Sequence, residues 1–193
     1  MQRGRLFQYI GISIIFILFV FLIQLAIQRH NLSSILYQNS ILNIGDKAFV
    51  FMLNDINGNR VTIQGDIVLL AFFNTTCNSC LKNIQMLQYF FVKYASMGIK
   101  VIGVSSETAE RTLHFARKYK ISFPIVADPN YNIFWKYHVK IVPLLVLVNK
   151  EKKIVFYQQD DQDLNDALLE IEKYILSISD SKENNYSKIS KLK

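Results

Sequence analysis

The chain has 193 residues, 51% of them hydrophobic, with two cysteines and a formal charge of +7. Two cysteines three positions apart exclude a disulfide framework as the source of stability, so a sizeable apolar core must supply it. The positive charge is scattered, and several lysines crowd the last dozen residues. It therefore reads as solvated surface, and no nucleic-acid partner is expected.

In chain order, the first element is a run from Ile10 to Ile27 interrupted only by Gly11, Ser13 and Gln24, with no charge. As a helix it would span roughly 27 Å, close to the hydrocarbon thickness of a bilayer, and it lacks the polar stripe of a core helix. Arg3 and Arg5 precede it and Arg29 and His30 follow it, a small bias toward a cytoplasmic amino terminus. A cleaved signal peptide is the alternative, but Leu25–Gln28 offers no small-x-small cleavage site, so an uncleaved anchor over 10–28 is expected. Residues 1–9 would then be cytoplasmic and 29–43 a polar spacer.

A hairpin is expected next, from Phe49–Leu53 through Asn57-Gly58 to Val61–Ile63. Val68–Phe73 is a continuous apolar run, as in a strand buried on both faces. It breaks at Asn74-Thr75-Thr76, and a helical pattern starts near Cys77, with Leu81, Ile84, Leu87, Phe91 and Tyr94 at spacings of three and four and Gly98 as the stop. Lys100–Val104 reads as a strand, Glu107–Lys120 as a helix, Phe123–Ala127 as a short strand and Asn130–Tyr137 as a helix. Leu144–Val148 and Ile154–Gln158 suggest an antiparallel hairpin. A final helix carries Leu164, Ala167, Leu168, Ile171, Ile175 and Ile178 on one stripe, with Asp160, Asp161 and Asp163 at its amino end. The alternation implies an α/β fold, a mixed sheet with helices on both faces. The tail over 179–193, rich in Ser, Asn and Lys, reads as disordered.

The chemistry-bearing motif is Cys77-Asn78-Ser79-Cys80, placed directly after a buried strand and at the start of a helix. Unpaired N–H groups there favour a thiolate at Cys77, and the spacing brings Cys80 within bonding reach. One sulfur attacks a disulfide and the other resolves the mixed disulfide. Half a zinc site is a competing reading, but there is no second cysteine pair and His30, His114 and His138 are dispersed. An inert pair is another, set against the polar surroundings Thr75, Thr76, Asn78 and Ser79.

Gly45-Asp46-Lys47-Ala48, Phe51-Met52-Leu53, Asn57-Gly58, Val61-Thr62, the 68–73 strand and Cys77–Cys80 follow one another as in TlpA/ResA-like proteins, and so do Phe123–Pro129, Tyr137-His138-Val139 and Ile141-Val142-Pro143. The chain thus resembles, over roughly residues 44–175, these membrane-anchored, extracytoplasmic thiol–disulfide oxidoreductases with an AhpC/TSA-type, redoxin-like domain. The resemblance implies a thioredoxin-like domain over 44–178 and a reductase of disulfides in extracytoplasmic proteins, apocytochromes c being one class. It implies a membrane electron donor for recharging, and no cofactor or metal beyond the Cys77–Cys80 disulfide. It also makes Pro143 the cis-proline opposite the pair, in a substrate groove shared with Val142 and Thr76. Several positions depart from the family: Thr76 replaces a Trp, Asn83 a Glu, Gln85 a helix-kinking Pro, and Ala71 the buried Asp of thioredoxins. The usual proton-relaying carboxylates are therefore missing. A peroxiredoxin would need Pro-x-x-x-Thr/Ser-x-x-Cys; Leu70 and Asn74 precede Cys77 instead, and Phe73 and Cys77 precede Cys80. A Sco-type copper carrier is the rival from another class, with His138 as the extra ligand, although that family spaces its cysteines by three.

Overall fold

The run Ile67–Phe73 forms the central strand, β3, with every residue buried. Such burial on both faces needs helices or loops above and below, and both are present in the computed structural model, which describes residues 14–29, 42–63, 66–158 and 163–190. The chain divides into two compact units, Met1–Ile41 and Leu42–Lys193.

In the first unit a helix, α1, covers residues 14–29. Its apolar side chains are exposed, Phe16 at 66% and Leu22 at 63% among them. The expected anchor begins upstream of the described residues. Among the described residues no helix is long and apolar enough to cross a membrane. The expected cytoplasmic segment over 1–9 lies outside the described residues, as does most of the spacer over 29–43.

The second unit opens with a two-stranded antiparallel ribbon, β1 (Met52–Asn54) and β2 (Arg60–Thr62). The connection is a five-residue loop rather than a tight two-residue turn. Asp55 explains the difference: its carboxylate accepts from Asn57 N–H at 2.9 Å and Asn59 N–H at 2.8 Å, closing the loop from inside. Gly58 supplies the left-handed backbone, with φ of 85°.

The main sheet has the order β5-β4-β3-β6-β7. From β3 the chain passes through α2 (Asn78–Tyr94) to β4 (Ile99–Ser105), then through α3 (Ala109–Lys118) to β5 (Ile125–Ala127). Both crossovers return parallel to the preceding strand. A short α4 (Asn132–Lys136) precedes β6 (Leu144–Val148) and β7 (Ile154–Tyr157), and β3–β6 and β6–β7 are antiparallel. The sheet is therefore mixed, as the alternation of elements predicts.

Alternate residues of β3 feed two cores. Leu69, Ala71 and Phe73 pack with α2, α3 and α5 (Leu164–Ser190). Val68, Leu70 and Phe72 pack with Ile63, Phe134 of α4 and Tyr137. Tyr137 is fully buried; it donates its hydroxyl to the Phe49 carbonyl at 2.9 Å, and burial keeps that phenol from ionising in its ordinary range. On the other face, Lys93 and Tyr94 of α2 both donate to Glu172 of α5, holding its carboxyl below the usual range. The stripe Leu164, Ala167, Leu168, Ile171 and Ile175 is buried, as its spacing predicts.

Among the described residues α5 runs to Ser190. Polar composition removes the apolar stripe beyond Ile178 but does not stop a helix, and no Gly or Pro interrupts 164–190.

Candidate active site

β3 ends at Phe73, and the chain must turn before α2 starts. Asn74 organises that turn: its carboxamide oxygen accepts from the backbone N–H and the hydroxyl of Thr76, both at 3.1 Å. Cys77 follows in an extended conformation, φ −76° and ψ 112°, and is the N-cap of α2. Caps are usually Ser, Thr, Asp or Asn. Here the sulfur does the same work, accepting from the Cys80 N–H at 3.1 Å. The first turn of α2 contains no acidic residue, so no side chain of that turn neutralises the positive end of the helix dipole.

Cys77 and Cys80 are joined as a disulfide, with Cα atoms 5.2 Å apart. The two sulfurs are unequally placed. Cys77 is half-buried at the loop surface, whereas Cys80 is 2% exposed and belongs to the core cluster with Ala71, Phe73, Ile84 and Leu145. A substrate sulfur can reach Cys77; Cys80 is shielded behind it. The Ser79 hydroxyl lies 3.1 Å from the Cys77 sulfur. In the sequence Ser79 reads only as part of a polar loop. The usable signal was a hydroxyl at the second helical position, where a side chain can fold back on the cap.

The Val142–Pro143 peptide bond is cis. Val142 offers its carbonyl oxygen 3.7 Å from the Cys77 sulfur. The juxtaposition follows from sheet register: Phe72 of β3 pairs with Leu144 of β6, so the residues just before β6 arrive beside those just after β3. Gln158 fixes the same corner, accepting from Leu145 N–H at 2.9 Å while its own N–H donates to the Leu145 carbonyl at 3.0 Å. The structure thus assembles Cys77, Cys80, Val142 and Pro143. Thr76 is exposed beside them, with its hydroxyl held by Asn74.

Among the described residues, neither buried carboxylate takes the place of the missing relay. Asp55 and Asp128 are the buried acids among the described residues. Both are committed to backbone N–H groups of their own segments, Asp128 to Asn132, Ile133 and Phe134. His138 is half-buried with φ of 51°, and burial followed by the Lys140 charge lowers its pKa. Among the described residues no three His, Cys, Asp or Glu side chains cluster as a metal site, so the donor set of the copper reading is not assembled there.

A thioredoxin-like mixed sheet that presents one accessible and one shielded sulfur at a helix start defines a thiol–disulfide oxidoreductase. Residues 44–157, more than half of the chain, match the AhpC/TSA family, and the chain belongs to it. The chain is 28% identical over 127 residues to the thiol-disulfide oxidoreductase ResA of Halalkalibacterium halodurans, covering 64% of this chain and 72% of that protein. It is 30% identical over 115 residues to ResA of Bacillus subtilis, covering 58% and 64%. The crystal structure of the thioredoxin domain of a thiol-disulfide oxidoreductase from Bacteroides vulgatus superposes with a TM-score of 0.61 at 24% identity, covering 69% of this chain and 99% of that one. That likeness supports the fold.

Proposed function

We propose that the chain is a membrane-tethered reductase that acts on disulfides of proteins outside the cytoplasm. The observation that carries this reading is the asymmetry of the pair: Cys77 half-exposed at the cap of α2, Cys80 buried behind it. In the reduced state the Cys77 thiolate attacks a substrate disulfide and releases one substrate thiolate. Cys80 then attacks the Cys77 sulfur, releasing the second substrate thiolate and restoring the Cys77–Cys80 disulfide. Two electrons pass to the substrate, and the Cys80 proton leaves with a product thiol or through water.

The Val142 main chain beside the sulfur, with Pro143 and Thr76, forms the groove for an extended substrate segment. The apolar exposed surface of α1, together with the uncharged run that overlaps it, supports an anchor over 10–28, and Arg3 and Arg5 ahead of that run favour the catalytic domain on the extracytoplasmic side. Outside the cytoplasm there is no reducing thiol pool, so recharging requires an electron donor in the membrane. The relatives named ResA support the same activity, and apocytochromes c are one substrate class consistent with it.

Trapping tests the roles. Cys80→Ser in the full-length chain should accumulate mixed disulfides through Cys77, recovered on non-reducing gels and released by dithiothreitol. Accumulation only in Cys77→Ser would reverse the two roles.

A further inference from the structure

Two donors converge on the Cys77 sulfur: the Cys80 backbone N–H and the Ser79 hydroxyl, each at 3.1 Å. A sulfur in a disulfide carries no hydrogen, so in this state both groups donate to it. A bonded sulfur is a weak acceptor. Reduction breaks the S–S bond and, with two electrons and one proton taken up, leaves Cys80 as a thiol and Cys77 as a thiolate. The acceptor then carries a full charge, and hydrogen bonds to it strengthen by about twofold. The N–H belongs to any helix start; the hydroxyl comes from the side chain at position 79. Ser79 is exposed and its side chain already points at the sulfur, so no rearrangement is needed when the charge appears.

We propose that the Ser79 hydroxyl is a tuning group for the site, a donor that selectively stabilises the reduced, ionised Cys77 and makes the pair more oxidising than the helix start alone would. The inference rests on the dithiol chemistry proposed above. It assigns to Ser79 two linked consequences: Cys77 is a nucleophile at lower pH, and the disulfide is more readily reduced by its electron donor.

The test compares the full-length wild type with Ser79→Ala and Ser79→Thr. Alkylation of Cys77 by iodoacetamide is followed by mass spectrometry across pH, and the dithiol–disulfide equilibrium is measured in glutathione buffers. For Ser79→Ala the midpoint of the alkylation profile should rise by about half to one pH unit, the range for losing one charge-assisted hydrogen bond at a partly solvated site. The equilibrium should shift three- to tenfold toward the disulfide, about 15–30 mV more negative. Ser79→Thr, which keeps the hydroxyl, should stay near wild type. An unchanged midpoint and equilibrium in Ser79→Ala would overturn the inference, and so would an equal shift in Ser79→Thr, which would assign the effect to packing. If the wild-type disulfide is reduced by neither glutathione nor dithiothreitol, the oxidoreductase reading fails instead, whatever Ser79 does.

Discussion

Removing the Asp128 carboxylate tests how the connection from β5 to α4 is held. Asp128 is 5% exposed and lies between β5 and α4. Its two oxygens accept from Asn132 N–H at 2.8 Å, Ile133 N–H at 2.8 Å and Phe134 N–H at 3.0 Å, which are the first three N–H groups of α4. Ile133 and Phe134 are themselves buried. Asp128→Ala therefore strips a short helix of its cap and strands two donors away from water. A lost cap costs up to about 2 kcal/mol, and each stranded buried donor about 1–3 kcal/mol, with partial overlap and some water entry. The net loss should be about 3 kcal/mol, a large share of the 5–15 kcal/mol typical of a domain. Asp128→Asn keeps one acceptor oxygen and should lose about half as much. Urea unfolding followed by Trp135 fluorescence measures this. With a slope of about 2 kcal/mol per molar urea, the midpoint should fall by about 1.5 M in Asp128→Ala. A fall below about 0.4 M at unchanged slope would refute the argument that this carboxylate anchors α4. The same variant should reduce disulfides more slowly, because α4 leads into the segment that carries Val142 and Pro143.

Gly103 of β4 faces the rings of Phe73 and Phe123, and a Cβ there would lie 3.1–3.2 Å from them and from Ile125. Gly103→Ala should gain less than about 1 kcal/mol in strand propensity and lose more to overpacking, for a net destabilisation of about 1–2 kcal/mol, read as a drop in Tm of roughly 3–6 °C; a rise in Tm would show that the aromatic pair yields freely. His138 has its pKa lowered in the folded protein by burial and by Lys140. The unfolded chain therefore binds more protons below the ordinary histidine value of about 6.5, so the stability His138 allows is present above that pH and lost as pH falls through the folded value. Between pH 7.5 and 5 the urea midpoint should decline more steeply for wild type than for His138→Gln, and parallel curves would contradict the assignment.

Local chemistry was written plainly in the chain. The uninterrupted apolar run at 68–73 could be satisfied only as a strand covered on both faces, and the break at Asn74 followed by a three-and-four repeat placed Cys77 at a helix start. The stripe from Leu164 to Ile175 and the pair of runs around residue 150 were equally legible, because periodicity and turn residues act over a few positions. The same locality explains the error. Asn57-Gly58 suggests a tight turn, yet Asp55 reaches across and makes a wider loop.

What only tertiary structure decided is which distant groups meet. Pro143 stands 66 residues beyond Cys77, and no local pattern brings them together; the Phe72–Leu144 register of an antiparallel pair does. Whether Cys80 is shielded while Cys77 is reachable depends on how α2 lies on the sheet, and whether Asp128 or Gln158 is a ligand of the main chain depends on which unsatisfied N–H groups the packing leaves beside it. Sequence alone set the two sulfurs and their helix start, since those follow from short-range backbone geometry. Their surroundings came from long-range packing, where buried polar groups must find partners wherever the sheet delivers them.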